Sequence, residues 1–166
     1  MGLRKSDNGT LKKEIDLFDK LYTAANKYCG DPSTVNGAAL VYGNFFDTAI
    51  GSWNDLIVNR GKEGNFEIFN NRLAKYDFIQ HAERNLIYSL IKNNERKTPG
   101  EMMKDAIIKD FTKARMYITW TPCLECSKTI IGVGIPEIVI HEHKYTYERE
   151  DWKVNMQKAQ TLLIEG

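Results

Sequence analysis

Four residues in two short segments have the types and spacing for metal chemistry. They are His81 and Glu83 in His81-Ala82-Glu83, and Cys123 and Cys126 in Pro122-Cys123-Leu124-Glu125-Cys126. Imidazole and thiolate have the softness that zinc takes in tetrahedral sites. Two cysteines three apart at a helix start point one way, because residues i and i+3 share a face. The partial positive charge of a helix amino end also favours the thiolate. Three protein ligands leave a fourth position for water, as a catalytic zinc requires, and zinc lowers the pKa of such water toward about 7. Glu83, two residues beyond His81, need not face the metal; it can reach the water and a substrate and move protons between them. Each half of the pattern is weak alone. A Cys-x-x-Cys is also a redox pair or half of a zinc ribbon, and a His-x-Glu often lies on a solvated helix face. The chain holds no second Cys pair for a ribbon, and Cys29 is too distant along the sequence to be an obvious partner. Order, preceding proline and intervening strand together select the catalytic zinc reading.

Helices and strands must bring these segments together. Leu11, Ile15, Phe18, Leu21, Tyr22 and Ala25 recur at helical spacing and predict a helix from Leu11 to Tyr28, stopped by Gly30-Asp31-Pro32-Ser33. Ala38 to Tyr42 is a short apolar run that reads as a buried strand. Phe45 to Lys75 has no sustained period and reads as a strand remnant followed by a long loop of the kind that lines a site. A helix is expected from Phe78 to Asn93, with Ala82, Leu86, Leu90 and Ile91 toward the core, and a shorter one from Glu101 to Thr112. Arg115 to Thr119 reads as a strand. Thr121 as cap and Pro122 at the first position then open a helix to about Val133, ended by Gly134-Ile135-Pro136. Glu137 to His141 is the next strand, and Trp152 to Ile164 a further helix. Alternation of this kind predicts an α/β domain of three layers, α/β/α, with helices on both faces of a central sheet. Residues 1–10 are expected to be a flexible N-terminus and 11–166 a single domain.

Bulk properties narrow the partners. The 166 residues fit one domain, and 42% hydrophobic with 11% aromatic residues fill one core. Lys plus Arg number 23 and Asp plus Glu 22, a net charge of +1, whereas proteins that coat nucleic acid show a basic excess. A local basic pocket for one phosphate remains compatible with that balance. No apolar run approaches the roughly 20 residues that span a bilayer, so no membrane partner is expected. The polar stretch Met1 to Lys13 has no secretory signal, although Met1 to Ser6 loosely fits the N-myristoylation pattern. Three cysteines in such a chain make a poor disulfide framework, and a cytoplasmic protein is expected.

H-x-E…P-C-x-x-C is the established signature of zinc deaminases. A wider stretch resembles the deoxycytidylate deaminase branch of the cytidine deaminase superfamily. The likeness is carried by Lys75-Tyr76 and His81-Ala82-Glu83-Arg84-Asn85-Leu86-Ile87-Tyr88, then by Met116-Tyr117-Ile118-Thr119-Trp120-Thr121-Pro122-Cys123-Leu124-Glu125-Cys126 with Ser127 to Ile131 and Gly134-Ile135. It runs roughly from residue 17 to 164. It implies a cytidine-deaminase-like domain with a mixed sheet of about five strands, which hydrolyses dCMP to dUMP and ammonia as a source of the thymidylate precursor. Zinc would be held by His81, Cys123 and Cys126, with Glu83 catalytic. The resemblance further implies a homo-oligomer, a hexamer in many members, with dCTP and dTTP as allosteric effectors.

Substrate contacts follow from the same likeness. Tyr42-Gly43-Asn44-Phe45-Phe46-Asp47 matches a family segment in which Asn44 would hold the sugar, without the family's Pro and adjacent Arg. Trp120, just ahead of the metal loop, is placed either to stack on the base or to fill the core. Tyr145 and Tyr147, with Lys144 and Arg149, would meet the substrate phosphate or form an exposed charged loop. His141 and His143 are not expected as ligands, and Arg84 is expected on a helix surface or subunit interface. Other readings stay open. One is a deaminase of another base, nucleoside or nucleotide. A second is a nucleic-acid cytosine or adenine deaminase, which the near-neutral charge disfavours. A third is a non-catalytic zinc protein, which would have no use for Glu83.

Overall fold

The computed structural model describes residues 8–31, 34–46, 49–56, 75, 78–95, 110–141 and 150–165. The elements run α1 (Asn8–Tyr28), β1 (Gly37–Tyr42), β2 (Ile50–Trp53), β3 (Asp55–Leu56), β4 (Ile79–Gln80), α2 (Ala82–Glu95), β5 (Ala114–Ile118), α3 (Leu124–Gly132), β6 (Glu137–Ile140) and α4 (Glu150–Glu165). Among the described residues the main sheet has the order β2-β1-β5-β6, and β3 with β4 forms a separate two-stranded ribbon. β1 is antiparallel to both its neighbours and β5 is parallel to β6, so the sheet is mixed.

The two central strands explain their own composition. A strand covered on both faces reads as a continuous apolar run, and Gly37 to Val41 and all of β5 are buried. Successive side chains point to opposite faces. Ala38, Leu40, Met116 and Ile118 pack with Leu86 and Ile87 of α2 and Ile130 of α3. Ala39, Val41 and Tyr117 pack with Leu17 and Leu21 of α1. Helices therefore lie on both faces, in the three-layer α/β/α arrangement that the alternation predicts.

Several boundaries differ from the sequence expectation. α1 begins at Asn8, and its buried stripe is Leu17, Leu21 and Ala25, while Leu11 and Ile15 are 47% and 52% exposed. The helix expected from Phe78 starts only at Ala82, because Ile79 and Gln80 pair with Leu56 and Asp55 in the ribbon. Within α2, Ile87 is buried and Ile91 is exposed. Of the helix expected over Glu101 to Thr112, all but the last three residues lie outside the described ones; Phe111–Lys113 is a single 3₁₀ turn. α3 starts at Leu124 and not at Thr121, since a residue before proline is pushed to extended backbone and Cys123 is extended too. Its other end closes as expected. Gly134 has φ +80, its N–H donates to Ile131 O and the next N–H, of Ile135, to Ile130 O, the paired bonds of a glycine-terminated helix.

One polar network binds α1 to the sheet. Arg115 donates from Nη2 to Gly43 O and, at 3.1 Å, to Asn44 Oδ1, and its guanidinium lies 3.9 Å from both Glu14 and Glu137. The Tyr117 hydroxyl donates to Glu14 at 3.0 Å. Arg115 and Glu14 are both buried. Removing one partner of such a pair leaves a charge stranded in the core. Arg115→Met is therefore expected to lower stability by about 3–5 kcal/mol, seen as a lower urea midpoint with an unchanged slope.

Candidate functional site

The two halves of the sequence pattern meet because each is delivered by a fixed turn. After β5, the Thr119 N–H donates to Gly37 O at 3.0 Å, and its hydroxyl donates to Asn36 Oδ1 at 2.6 Å while accepting from the Gly37 N–H at 2.9 Å. That clamp holds the loop carrying Cys123 against the start of β1. On the other side the β3–β4 ribbon ends at Gln80 and releases His81 directly into α2. His81 O accepts from the Asn85 N–H at 2.8 Å and Cys123 O from the Ser127 N–H at 2.9 Å. His81 and Cys123 therefore each sit at the cap position of a helix, the carbonyl taking the first intrahelical bond, and Cys126 follows within the first turn of α3.

The two helix starts converge on one point. His81 Nδ1 lies 3.5 Å from Cys123 Sγ and 3.6 Å from Cys126 Sγ, and the three ligand atoms all lie within 4.8 Å of one another. With Zn–N near 2.1 Å and Zn–S near 2.3 Å, tetrahedral angles set an N···S separation of about 3.6 Å. Donor types and spacing thus both fit zinc. Cys123 is 8% exposed and Cys126 fully buried.

The electrostatics of the cluster favour a cation. The Cys126 thiol, and then the His81 ring, hold the Cys123 thiol down at about 4, against the opposing effect of burial. Cys126, hydrogen-bonded to Cys123 and buried, is raised instead. Burial works to lower His81, but Cys123 and the Glu83 carboxylate outweigh it and the net shift is upward. A bound divalent cation reverses this balance and ionises both thiols. Glu83 is 1% exposed and one of its oxygens, Oε2, has no hydrogen-bond partner in the structure. Burial raises its pKa, with His81 pulling the other way. An oxygen left unpaired in such a place is available to a water or substrate atom.

With candidate metal ligands at both cap positions, each helix lacks a cap of its own, and two asparagines from elsewhere fill the gap. Asn54 Oδ1 accepts from the Ala82 N–H at 2.8 Å, and Asn155 Oδ1 from the Leu124 N–H at 3.0 Å. Asn54 lies just after β2 and is 2% exposed; Asn155 comes from α4. Neither stands out by local pattern, and only the tertiary fold shows their role.

The remaining candidates divide. Trp120 packs with Cys123, Cys126, Met156 and Trp152, so it borders the cluster. Tyr145 and Tyr147, with Lys144, Arg149 and His143, lie outside the described residues. His141 bonds to the Tyr22 hydroxyl at 2.8 Å and stands apart from the ligand group. Arg84 is half-buried beside the cluster, where its charge counts among the influences on His81 and Cys126. Asn44 is a correction. Tyr42 pairs with Ala114 and Ala38 with Ile118, so Asn44 lies beyond the amino end of β5 and Cys123 beyond its carboxyl end. Five residues at about 3.3 Å each put about 16 Å of strand between them. Asn44 is exposed and its carboxamide serves Arg115.

Asn54→Ala is expected to leave the Ala82 N–H orphaned, to lower stability by about 1–3 kcal/mol and to weaken metal retention. Asn44→Ala is expected to leave metal content unchanged and to alter stability by less than about 1 kcal/mol. Thermal melts with metal analysis of both variants check the contrast.

Comparison with known proteins agrees with this geometry. The family described as "Cytidine and deoxycytidylate deaminase zinc-binding region" matches residues 48–142. A probable deoxycytidylate deaminase of Drosophila melanogaster is 30% identical over 156 residues, covering 86% of this chain and 68% of that protein. The Homo sapiens deoxycytidylate deaminase is 33% identical over 72 residues, 43% of this chain and only 32% of the human protein. Among solved structures, the dCMP deaminase of cyanophage S-TIM5 in complex with dCMP and dUMP shares the fold, with a TM-score of 0.57 at 17% identity over 95% of each chain. The same phage enzyme in apo form gives 0.52 over 90% of this chain and 92% of that one. With the family's zinc-binding region running through the ligands that the two helix starts bring together, the chain belongs to the cytidine and deoxycytidylate deaminase family.

Proposed function

We propose that the protein is a zinc-dependent deaminase that converts dCMP and water to dUMP and ammonia. The observation that carries this reading is the buried Glu83 carboxyl, one oxygen unpaired, beside the His81, Cys123 and Cys126 cluster. Zinc bound by those three residues supplies a Lewis acid with one open position, which lowers the pKa of water to about 7. Glu83 would take a proton from the water that adds at C4 of the cytosine ring and pass it to the ring nitrogen N3, then take the remaining proton from the new C4 hydroxyl and pass it to the amine, which leaves as ammonia as the C4 carbonyl forms. Its raised pKa suits a group that must both accept and return a proton. Packing around the cluster by Trp120, Trp152 and Met156 supports a dry wall against which the base stacks.

Support for the nucleotide substrate comes from the relatives and from the strand ends. Relatives in the family are named deoxycytidylate deaminases, and the cyanophage structure was solved with dCMP and dUMP. β6 runs parallel to β5, with Ile140 opposite Ile118, so the chain leaves β6 at the end of the sheet that carries the cluster. Ligands of open α/β sheets bind at the carboxyl ends of strands. Tyr145 and Tyr147, with Lys144 and Arg149, follow directly in sequence and are our candidates for the 5′-phosphate. Homo-oligomeric assembly, regulation by dCTP and dTTP and a cytoplasmic location belong to the same reading. No described helix is long and apolar enough to cross a membrane.

Two measurements test the function. Glu83→Gln keeps size and removes the titratable group, so zinc stays bound while kcat falls by about 10²–10⁴, whereas Cys123→Ala loses metal and activity together. Turnover near the parent value in Glu83→Gln overturns the proton-transfer role. Two charge-assisted bonds to the phosphate, at about 1.5 kcal/mol or more each, favour dCMP over deoxycytidine by about a hundredfold or more in kcat/KM. Equal kcat/KM for the two assigns the enzyme to nucleosides and leaves the deaminase chemistry standing.

A further inference from the structure

A buried ion pair linked through polar contacts to the start of α2 has no part in the chemistry described so far. Lys75 Nζ lies 2.8 Å from Asp31 Oδ2, with side chains 4% and 1% exposed. Withdrawing two charges from water is costly, and apolar residues of similar volume often serve stability as well, so such a pair calls for another reason. Its neighbours supply one. Lys75 Nζ also donates to Thr34 Oγ1 at 3.2 Å. The Thr34 carbonyl accepts from Asn54 Nδ2 at 3.0 Å, and Asn54 Oδ1 accepts from the Ala82 N–H, between His81 and Glu83.

The same loop fixes the Asn54 backbone. Asn54 N–H donates to Asn36 O at 3.1 Å, and Asn54 O accepts from the Gly30 N–H at 3.0 Å and from Cys29 Sγ at 3.2 Å. Asp31 and Thr34 both belong to this loop. A continuous set of short polar contacts therefore runs from the ion pair to the amino end of α2. We propose that Lys75 and Asp31 are positioning residues, which lock residues 29–31 and 34–36 around Asn54 and so set the orientation of the helix start that carries His81 and Glu83. The ion pair supplies a contact of fixed direction, where an apolar pair would let the loop slide. Outer partners of this kind tune a metal site through the geometry of its ligands.

This inference rests on the deaminase reading for its rate measurement, and on neither substrate nor product for its metal measurements. The test uses the full chain with the double variant Asp31→Asn/Lys75→Met, which removes both charges and strands neither. Four quantities are compared with the parent: melting temperature, zinc affinity by chelator competition, the visible spectrum of the Co²⁺-substituted protein, and kcat and KM for dCMP. Each single variant leaves one charge buried and is expected to melt about 10 °C lower. The double variant is expected to recover most of that loss. It should nonetheless show a shifted Co²⁺ spectrum, with zinc affinity and kcat each about 10–100-fold below the parent and KM within about twofold. A double variant with the parent spectrum, zinc affinity and kcat overturns the proposal, since the pair is then structural only. If the double variant does not fold, Thr34→Val decides: it spares the ion pair and removes the bond that joins Lys75 to the residue whose carbonyl holds Asn54. A Co²⁺ spectrum shifted in the same direction supports the proposal, and an unchanged one overturns it. Failure of the deaminase reading shows separately, as a parent chain that binds zinc but does not turn over dCMP.

Discussion

A helix that begins on a metal ligand gives up the residue that would otherwise satisfy its first N–H groups, and this chain has two helices that begin on candidate ligands and meet at one point. His81 and Cys123 lend their carbonyls to the first helical bonds, but neither an imidazole nor a thiolate committed to a cation can fold back as a cap. The surrounding structure is arranged around that deficit. Asn54 reaches α2 from the turn after β2, and Asn155 reaches α3 from α4. The clamp at Thr119 then fixes how far the cysteine loop stands from the start of β1. Because the partial positive charges of both helix starts point at the ligands, the same arrangement favours thiolate and carboxylate where they are needed.

The sheet separates this demand from ordinary stability. Beyond the carboxyl end of β5 the Thr119 clamp and the cysteine loop serve the cluster. At the opposite end, Arg115, Glu14, Tyr117 and Glu137 hold α1 to the strands. Between them lies an apolar layer contributed by alternate residues of β1 and β5, packed on one face by α1 and on the other by α2 and α3. Changes at the arginine end act on how firmly the domain is closed, while changes at the asparagine caps act on the angle at which ligands are presented.

The sequence makes the ligands legible because their information is local. His-x-Glu and Pro-Cys-x-x-Cys each state ligand type, spacing and the helix start within a few residues. The three-layer α/β/α arrangement is legible for a related reason: strand and helix periods alternate, and β1 and, Arg115 apart, β5 are short runs of buried, largely apolar residues. Asn44 misleads because two asparagines follow β-strands, and local sequence cannot say which strand end faces the metal. That choice depends on the antiparallel pairing of β1 with β2, which sends Tyr42 to one end of the sheet and Trp53 to the other. Ile-Gly-Ser-Trp is too short and too polar to announce itself as a strand. Asn155 is harder still, since its partner Leu124 is a backbone group distant in sequence. Leu11 and Ile15 satisfy the helical period of α1 yet lie on the face that the sheet does not cover, a distinction that periodicity alone does not draw.

The cap supplied by α4 also imposes an order on how the protein is made. His81, Cys123 and Cys126 are all synthesised before Asn155, Trp152 and Met156, which close the cysteine helix and wall its cluster. Some 30 residues separate Cys126 from Asn155, about 1.5–6 s at ordinary rates of elongation. The acceptor that completes the cysteine helix start is therefore made only after every donor of the cluster.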